Sequence, residues 1–421
     1  RCHRIQLVKI SERQSLVLLL LLCLIGVGLS RAPWLGREMW NLDEGSTFTM
    51  AHQVMNGDVL YRDAADNRSP LVPYLKAVVF SVFGQWNAHA VHLALTLMIG
   101  MTVFGLGWIG HRLGGMKLAW PTALSAWFLQ IYWIDVGDAM SANTEWFVIA
   151  FSTAAFALFI ASLDAARPLR GLLVGLLFGG AMLCKQPGLL DMLVAGILLG
   201  LLAWRSPLPR RSQLLRFGAM MAVGTLLPLG AFSLHYALAG AWDDYIYYAF
   251  TFNTEVYIPE VPFWERMACV QKPFSMALLN APLFGLLGIV AAVMLLRRAL
   301  PQLGRKEPIE LLPWLILGWT ASGLVSTTLS GRDFAHYSEQ IIPGLSLAVG
   351  WIYCRVNSAV KAPWARWMRY GLIVVLVVSV GVRSVQIKQE IDATDGQPHP
   401  LGLLAREFSD PDETVFVWGY F

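Results

Sequence analysis

Two adjacent acidic residues could do proton-transfer chemistry near the start of the chain. Residues 40–71 read WNLDEGSTFTMAHQVMNGDVLYRDAADNRSPL, a charged stretch between apolar runs, and Asp43 and Glu44 open it. A carboxylate held beside a hydroxyl can act as a general base. An unperturbed carboxyl pKa of about 4 makes a weak base unless burial raises it, and a helix N-terminus favours the charged form. We therefore expect orientation to matter more than basicity.

A structural alternative competes for the same residues. Asn41 could cap a helix that runs to about Asn56, with Glu44 at the third helical position as in a capping box, and Gly57 could end it. The cap accounts for Asn41 and Glu44, but it does not require Asp43.

The turn DNRSP at residues 66–70 supplies a permanent positive charge. Asn67 and Pro70 favour a turn, from which Arg68 projects. A guanidinium can bind two oxygens of a phosphate at once. The alternative is an arginine that extends to lipid headgroups without a further role.

The composition identifies the class of protein. The chain has 421 residues, of which 56% are hydrophobic and 14% charged, whereas a soluble domain carries about 25% charged residues. The net charge of +4 comes without a basic stretch interleaved with aromatic residues, so nucleic-acid binding is set aside. Five scattered cysteines form no CxxC or Cys/His cluster, so we predict neither a disulfide framework nor a zinc site. A polytopic membrane protein fits best.

The predicted fold class is an all-α polytopic membrane protein with about eleven transmembrane helices and interfacial helices in its first outer loop. Residues 70–84 form an apolar stretch shorter than most of the eleven transmembrane segments, and this stretch predicts a helix that lies at the membrane interface. The apolar segments lie at about 16–35, 88–110, 118–134, 145–163, 171–184, 187–204, 217–239, 275–296, 311–330, 338–354 and 370–383.

Charge distribution predicts the orientation. With a cytoplasmic N-terminus, the inner connections hold 20 of the 32 Lys and Arg residues, as the positive-inside rule requires. The apolar run 171–204 lies between two basic stretches and must therefore turn back. The sequence CKQPG at 184–188 is the predicted break.

These assignments give a membrane domain at residues 1–383, with the acid-bearing first outer loop at 36–87, and the start of a soluble outer tail at 384–421. The tail is expected to have mixed structure and to be truncated. A cleaved signal peptide is the alternative for the first apolar segment.

Several stretches, taken together, resemble one known family. They are the Asp-Glu pair, GDVLYRD, DNRSPLVPYLKAVVFSVFG, CKQPG and HYSEQIIPGLSLAVG, which follow one another in order over about residues 16–355. This order resembles the multi-pass glycosyltransferases of the C-type fold, among them glycosyltransferase family 39, whose members are dolichyl-phosphate-mannose protein mannosyltransferase-like, and the aminoarabinose lipid A transferases.

The resemblance implies a reaction and a base. These families transfer a sugar from a polyprenyl monophosphate to an acceptor and invert the anomeric carbon. Carried over, the first-loop base is Asp43, with Glu44 beside it. The family often has lysine where this chain has Arg68, which keeps the charge but changes the geometry.

Positive groups at the outer face could stabilise the donor phosphate. Lys185 lies at the break in an apolar hairpin, where an ionisable residue is a functional candidate; a lysine that only reaches the interface is the alternative. His336 beside Tyr337 could equally be structural. The donor phosphate-binding candidates are Arg68, Lys185, His336 and Arg332.

The family also tends to carry a second acid that binds an acceptor or a metal. The segment IDVGDAMSANTEW offers Glu145 and then Asp138. No metal ligands are predicted, because two separated acids do not make a site. No cofactor is required, and a divalent metal stays an open alternative.

The sequence therefore predicts an inverting glycosyltransferase in the bacterial inner membrane, with its active site on the periplasmic side. Expected partners are a polyprenyl-phosphate-linked sugar, membrane lipids and an unspecified hydroxyl or phosphate acceptor. Two other classes stay open: a transporter or flippase of lipid-linked sugars, and a non-catalytic subunit of a larger complex. Internal repeats, common in transporters, are not evident.

Overall fold

The structure is a computed structural model that describes residues 11–37, 39–258, 262–269, 271–305, 307–359, 374, 377–386, 388–389 and 392. Helices dominate these residues, and the β pairing among them is an isolated bridge between Leu60 and Ala64. The α-helices are α1 Glu12–Arg31, α2 Leu42–Met55, α3 Leu71–Phe83, α4 Ala88–Gly114, α5 Met116–Tyr132, α6 Val136–Met140, α7 Thr144–Ser162, α8 Pro168–Cys184, α9 Gly188–Trp204, α10 Leu208–Leu238, α11 Trp242–Ile246, α12 Phe263–Cys269, α13 Gln271–Asn280, α14 Pro282–Gly304, α15 Leu311–Leu329 and α16 Ile342–Ala359.

Short non-α helices complete the path of the chain. A 3₁₀ helix at Ala32–Trp34 follows α1, and π-helical turns at Tyr247–Thr251 and Asn253–Tyr257 follow α11. A second 3₁₀ helix, Ala335–Ile341, leads into α16. This second 3₁₀ helix is buried along its whole length and carries three of the residues discussed below, His336, Tyr337 and Glu339.

Helices occupy the first ten predicted apolar segments, but the number of membrane crossings is not confirmed. Within the described residues, six helices are long and apolar enough to cross a membrane by length and composition. They are α1, α4, α7, α10, α14 and α15. Helices α3, α8 and α9 are apolar but shorter. The eleventh segment begins at residues that lie outside the described part of the chain. Most of the predicted tail also lies outside it.

Local sequence signals explain where the site-bearing helices begin and end. Asn41 caps α2, since its side chain accepts from the Glu44 amide at 2.8 Å. Gly57 follows the end of α2 with φ of +91°, a conformation that glycine adopts without penalty. Helix α8 ends at Cys184 and α9 begins at Gly188. The predicted cap and the predicted CKQPG break are both confirmed.

Helices α8 and α10 pack backbone to backbone. Gly171, Gly175 and Gly179 recur every four residues on α8 and face α10. A Cβ atom at Gly175 would lie 2.0 Å from the Met221 carbonyl oxygen. Small residues at such spacing allow close helix approach inside a membrane.

We expect Gly175→Leu to separate α8 from α10. The added side chain meets backbone rather than a flexible side chain, so the helices must move apart. Thermal unfolding of the detergent-solubilised variant should begin at a clearly lower temperature. Gly200→Leu is the control, because a Cβ there meets nothing within 4 Å, and it should unfold like the parent. Equal unfolding temperatures for both variants would contradict this packing.

A second, smaller core fixes the first loop against the far half of the chain. Tyr61 packs on Tyr236 and Tyr245, with ring centroids 5.2 and 5.5 Å away. Tyr61 has φ of +74°, unusual for a bulky residue. Its hydroxyl donates to the Arg68 carbonyl at 2.8 Å. The aromatic cluster therefore positions the turn that presents Arg68.

Candidate active site

Asp43 lies in the first turn of α2 and is held by Arg68. One guanidinium nitrogen donates to Asp43 Oδ1, and the other donates to Asp66 Oδ2 at 2.7 Å and to Ser46 Oγ at 2.9 Å. The side chain of Asp43 is 44% exposed, whereas that of Asp66 is 12% exposed. The turn at Arg68 thus holds the accessible carboxylate of Asp43 beside a fixed cation.

His336 bridges two of the predicted acids. Its Nε2 lies 3.7 Å from Asp43 Oδ2, and its Nδ1 lies 3.2 Å from Asp138 Oδ2. The side chain of His336 is 8% exposed, so the imidazole lies beneath the accessible Asp43. Asp43, His336 and Asp138 are far apart in sequence, and the fold brings them together.

Helix α6 places Asp138. Asp135 caps this five-residue helix by accepting from the Asp138 amide at 3.1 Å. The side-chain nitrogen of Asn41, Nδ2, donates to Asp138 Oδ1 at 3.0 Å and to Ser141 Oγ at 3.0 Å. Asn41 therefore caps α2 with its oxygen and ties α2 to α6 with its nitrogen.

Lys185 and Glu145 form a part-buried ion pair. Glu145 is 1% exposed at the start of α7, and Lys185 is 21% exposed at the break between α8 and α9. The ammonium group also lies 3.4 Å from the ring centroid of Tyr337, where the electron-rich face of the ring attracts it. The two predicted sites, one basic and one acidic, are thus one unit.

Arg332 lies at the edge of this group. Its Nη2 donates to the Tyr257 carbonyl at 3.0 Å, and its guanidinium lies 5.1 Å from the Tyr257 ring centroid. The Tyr257 and Tyr337 hydroxyls are 2.7 Å apart. These two tyrosines join Arg332 to Lys185.

Glu44 occupies a different environment from Asp43. It is fully buried, and Oε1 accepts from His92 Nε2 and from the Ala142 amide, both at 2.8 Å. Oε2 accepts from the Trp40 amide at 2.8 Å, rather than from the Asn41 amide that a reciprocal capping box would use. The hydrogen bonds from His92 and Ala142 orient the Glu44 carboxylate towards the interior of the helix bundle. With these donors engaged, Glu44 faces away from any substrate at Asp43.

Acidification should expose the structural role of Glu44. Burial raises its pKa, but the hydrogen bond and charge of His92, with Lys76 and Ala142, outweigh burial and lower it. Its stabilising contribution is therefore present above the unfolded pKa of about 4.3 and is lost as the pH falls through the lower folded value. Glu44→Gln should lower the free energy of unfolding at pH 7 by about 2 kcal/mol or more, because both carboxylate oxygens of Glu44 accept hydrogen bonds, whereas the glutamine amide has one accepting oxygen and a donating NH₂ group.

Urea unfolding between pH 3 and 7 measures this contribution. The difference between parent and Glu44→Gln should shrink towards pH 3. Asp164→Asn is the control, because the Asp164 side chain is 85% exposed. A Glu44→Gln protein as stable as the parent at pH 7 would contradict the role.

Charge at the centre of the site is set by His336 and its acids. Burial alone would lower the His336 pKa, but the charge of Glu145 and the hydrogen bond that the imidazole donates to Asp138 raise it overall. Burial would raise the Asp138 pKa, but the hydrogen bond and charge of His336 lower it overall. Imidazolium and carboxylate therefore stabilise each other across α6 and the 3₁₀ helix.

Several residues of the site carried no clear sequence signal. Asp66 lies two residues from Arg68, and that spacing alone could have suggested the pair. Tyr257, His92 and Lys76 come from other parts of the chain, although a lysine in the apolar helix α3 is unusual enough to single out. Lys76 is buried, and its ammonium donates to Thr47 Oγ1 at 2.5 Å.

The arrangement suits an acid–base step beside an anion. Asp43 is accessible and faces Arg68 and His336, while Lys185 and Arg332 lie on the adjoining side. Within the described ranges, no group of three or more His, Cys, Asp or Glu side chains is arranged to hold a metal ion. The site therefore combines one accessible proton acceptor with several positive groups.

Comparison with known proteins gives a fold. No protein-family model matches the chain, and no curated protein matches it by sequence. Solved structures do match. The oligosaccharyltransferase AglB of Archaeoglobus fulgidus, in complex with an inhibitory peptide and a dolichol-phosphate, has a TM-score of 0.57 and 12% identity over 96% of this chain. ArnT of Cupriavidus metallidurans in the apo state has a TM-score of 0.58 and 17% identity over 85% of this chain.

The match extends over most of this chain but not over most of those proteins. This chain spans 62% of the length of each of the two. The apo A. fulgidus oligosaccharyltransferase matches in the same way, with a TM-score of 0.56, 11% identity, and coverage of 95% of this chain and 62% of that one. The chain therefore shares the fold of these solved structures, the C-type fold that its sequence resemblance implied.

Proposed function

We propose that the chain is an inverting glycosyltransferase that moves a sugar from a polyprenyl-phosphate donor to a hydroxyl or phosphate acceptor on the outer face of the membrane. The observation that carries this proposal is Asp43, an accessible carboxylate held between Arg68 and His336. The fold supports the proposal, since proteins that share it include an oligosaccharyltransferase solved with a dolichol-phosphate.

Asp43 acts as the base when the acceptor is a hydroxyl. Its free oxygen takes the hydroxyl proton as the acceptor oxygen attacks the anomeric carbon. The bond from that carbon to the phosphate oxygen breaks, its electron pair stays on the phosphate, and polyprenyl phosphate leaves. A phosphate acceptor attacks as an anion and needs no base, so the proton-transfer role of Asp43 applies to hydroxyls.

Positive groups stabilise the leaving phosphate. Charge develops on the phosphate oxygens as the sugar departs, and fixed cations lower the energy of that state. Arg68 is held in place by Asp66 and Ser46, so it needs little reorganisation to meet the phosphate. Lys185, His336 and Arg332 supply further positive charge. A donor phosphate would compete with Glu145 for Lys185.

Glu145 and Asp138 are assigned different roles within this proposal. Both hold positive groups in place, Glu145 through Lys185 and Asp138 through His336. Asp138 is 21% exposed and could also meet the acceptor, whereas Glu145 is 1% exposed and could not without a rearrangement. We therefore place the acceptor on the Asp138 side.

The test is transfer from defined donors. Purified protein in lipid nanodiscs is given a panel of radiolabelled polyprenyl-phosphate sugars, and release of polyprenyl phosphate is followed. Release with one sugar supports the proposal and identifies that sugar. Movement of the intact donor across proteoliposome membranes without release would instead indicate a flippase. Binding of every donor without release or movement, with acceptors of both classes present, would overturn the transferase assignment.

A further inference from the structure

Arg31, the last residue of α1, is buried under the candidate site. It is 1% exposed, and its guanidinium donates to the carbonyl oxygens of Ala139 at 3.0 Å and Met140 at 2.9 Å. A third bond reaches Gln130 Oε1 at 3.2 Å. Among the described residues, none of its hydrogen bonds reaches a carboxylate. The positively charged guanidinium of Arg31 therefore binds mainly to backbone carbonyl oxygens rather than to an acidic side chain.

The two carbonyls belong to the end of α6, the helix that carries Asp138. A five-residue helix has no stability of its own, so its position depends on its attachments. Asp135 holds the N-terminus through a cap, and Arg31 holds the C-terminus, where positive charge is favourable. Asp138 lies between these two attachments.

Placing an arginine here is costly. A buried guanidinium without a hydrogen-bonded carboxylate loses much of its hydration energy. The acidic side chains that interact electrostatically with Arg31 are Glu339 and Glu44. Glu339 is fully buried, and both of its oxygens lack a hydrogen-bond partner within the described part of the chain. The 3₁₀ helix that bears Glu339 also bears His336, so Arg31 lies between the two elements that meet at the imidazole.

We propose that Arg31 is a positioning residue: by binding the α6 carbonyls it sets the Asp138 carboxylate against His336, and so sets His336 beside Asp43. The inference rests on the proposed function of that site. Lysine in this place would keep the charge, but a single ammonium cannot reproduce the planar fork on two consecutive carbonyls. Arg31→Lys therefore separates geometry from charge.

The first readout is the titration of His336. Protein labelled with ¹⁵N-histidine is titrated by NMR, and the His336 signal is assigned by its loss in His336→Gln. Arg31→Lys should lower the His336 pKa by about one unit, the size expected when an opposing charge moves away. Loss of charge at Arg31 would act in the opposite direction, since removing a nearby positive charge raises the pKa of a histidine. The charged groups that face His336 are Asp43, Asp138, Glu145 and Lys185, and the carboxyl group of Glu339 lies on the same 3₁₀ helix.

The second readout is turnover. Arg31→Lys should lower kcat about 10- to 100-fold, as a misplaced group does, and should leave the donor KM within about threefold, since Arg31 touches no substrate. In the double variant with Asp138→Asn, kcat should be no lower than in Asp138→Asn alone, because both changes break one chain of contacts.

Arg205→Lys is the matched control. Arg205 also donates to two consecutive carbonyls, Gln302 at 3.1 Å and Leu303 at 2.6 Å, but it lies between α9 and α14, away from the site. It should leave the His336 pKa and kcat unchanged. If Arg31→Lys does not fold, Gln130→Met loosens the guanidinium and should shift the His336 pKa in the same direction by less.

The outcomes separate this inference from the proposed function. An unchanged His336 pKa in Arg31→Lys, or in Gln130→Met where that variant replaces it, overturns the positioning role whether or not turnover is found. The positioning role is also overturned if the His336 pKa shifts by the same amount in Arg31→Lys as in the control Arg205→Lys. If the parent shows no transfer with any donor, the proposed function fails, and the NMR titration still decides whether Arg31 positions Asp138.

Discussion

Asp43→Asn is expected to lower the rate of polyprenyl phosphate release with a hydroxyl acceptor by about 100-fold or more, the range for loss of a general base. Asparagine keeps the shape of aspartate, and its oxygen can still accept from Arg68. It cannot take a proton from a hydroxyl. Because Arg68 stays held by Asp66 and Ser46, donor affinity should change little, so the loss should appear in kcat.

The matched control for this change is Asp63→Asn. Asp63 lies in the same loop and is paired with an arginine, Arg62, at 2.9 Å. It has no contact with His336, and its variant should turn over at the parental rate. Donor binding and single-turnover release are measured for both variants. Equal release by Asp43→Asn and the parent would remove Asp43 as the base, and a matching loss in Asp63→Asn would assign the effect to the loop as a whole.

The parts of the fold that could be predicted from sequence are those set by local chemistry. The Asn41 cap, the end of α2 before Gly57 and the break after Cys184 each depend on a few neighbouring residues. Such signals act over one turn of helix, so they can be recognised without knowing the fold. The number of membrane crossings depends on the length and burial of each helix, and there the prediction of eleven is not confirmed.

The candidate site could be predicted as a set of residue types, but its pairings could not. Asp43 and Glu44 are adjacent, yet the first is accessible and the second fully buried, because successive residues on a helix point in different directions. His336 meets Asp138 across 198 residues. Pairings of this kind depend on how α2, α6 and the 3₁₀ helix pack, which no local pattern contains.

Removal of Lys185 is expected to destabilise the fold more than removal of its partner Glu145. Lys185→Met leaves a carboxylate that is 1% exposed without its counter-ion, a change that costs about 3 kcal/mol or more. Glu145→Gln leaves a lysine that is 21% exposed and still lies over the Tyr337 ring. The double variant should regain much of the stability lost in Lys185→Met, because no buried charge is left unpaired. Urea unfolding of the four proteins measures this coupling.

Donor affinity should separate phosphate binding from this stability effect. If Lys185 binds the donor phosphate, Glu145→Gln frees the ammonium and should tighten polyprenyl phosphate binding, whereas Lys185→Met should weaken it about tenfold or more. The double variant should bind as weakly as Lys185→Met despite its recovered stability. Arg298→Met is the control, because its ion pair with Glu310 is half-exposed and its loss should cost about 1 kcal/mol or less. Recovery of both stability and affinity in the double variant would make Lys185 a structural partner of Glu145 and not a phosphate ligand.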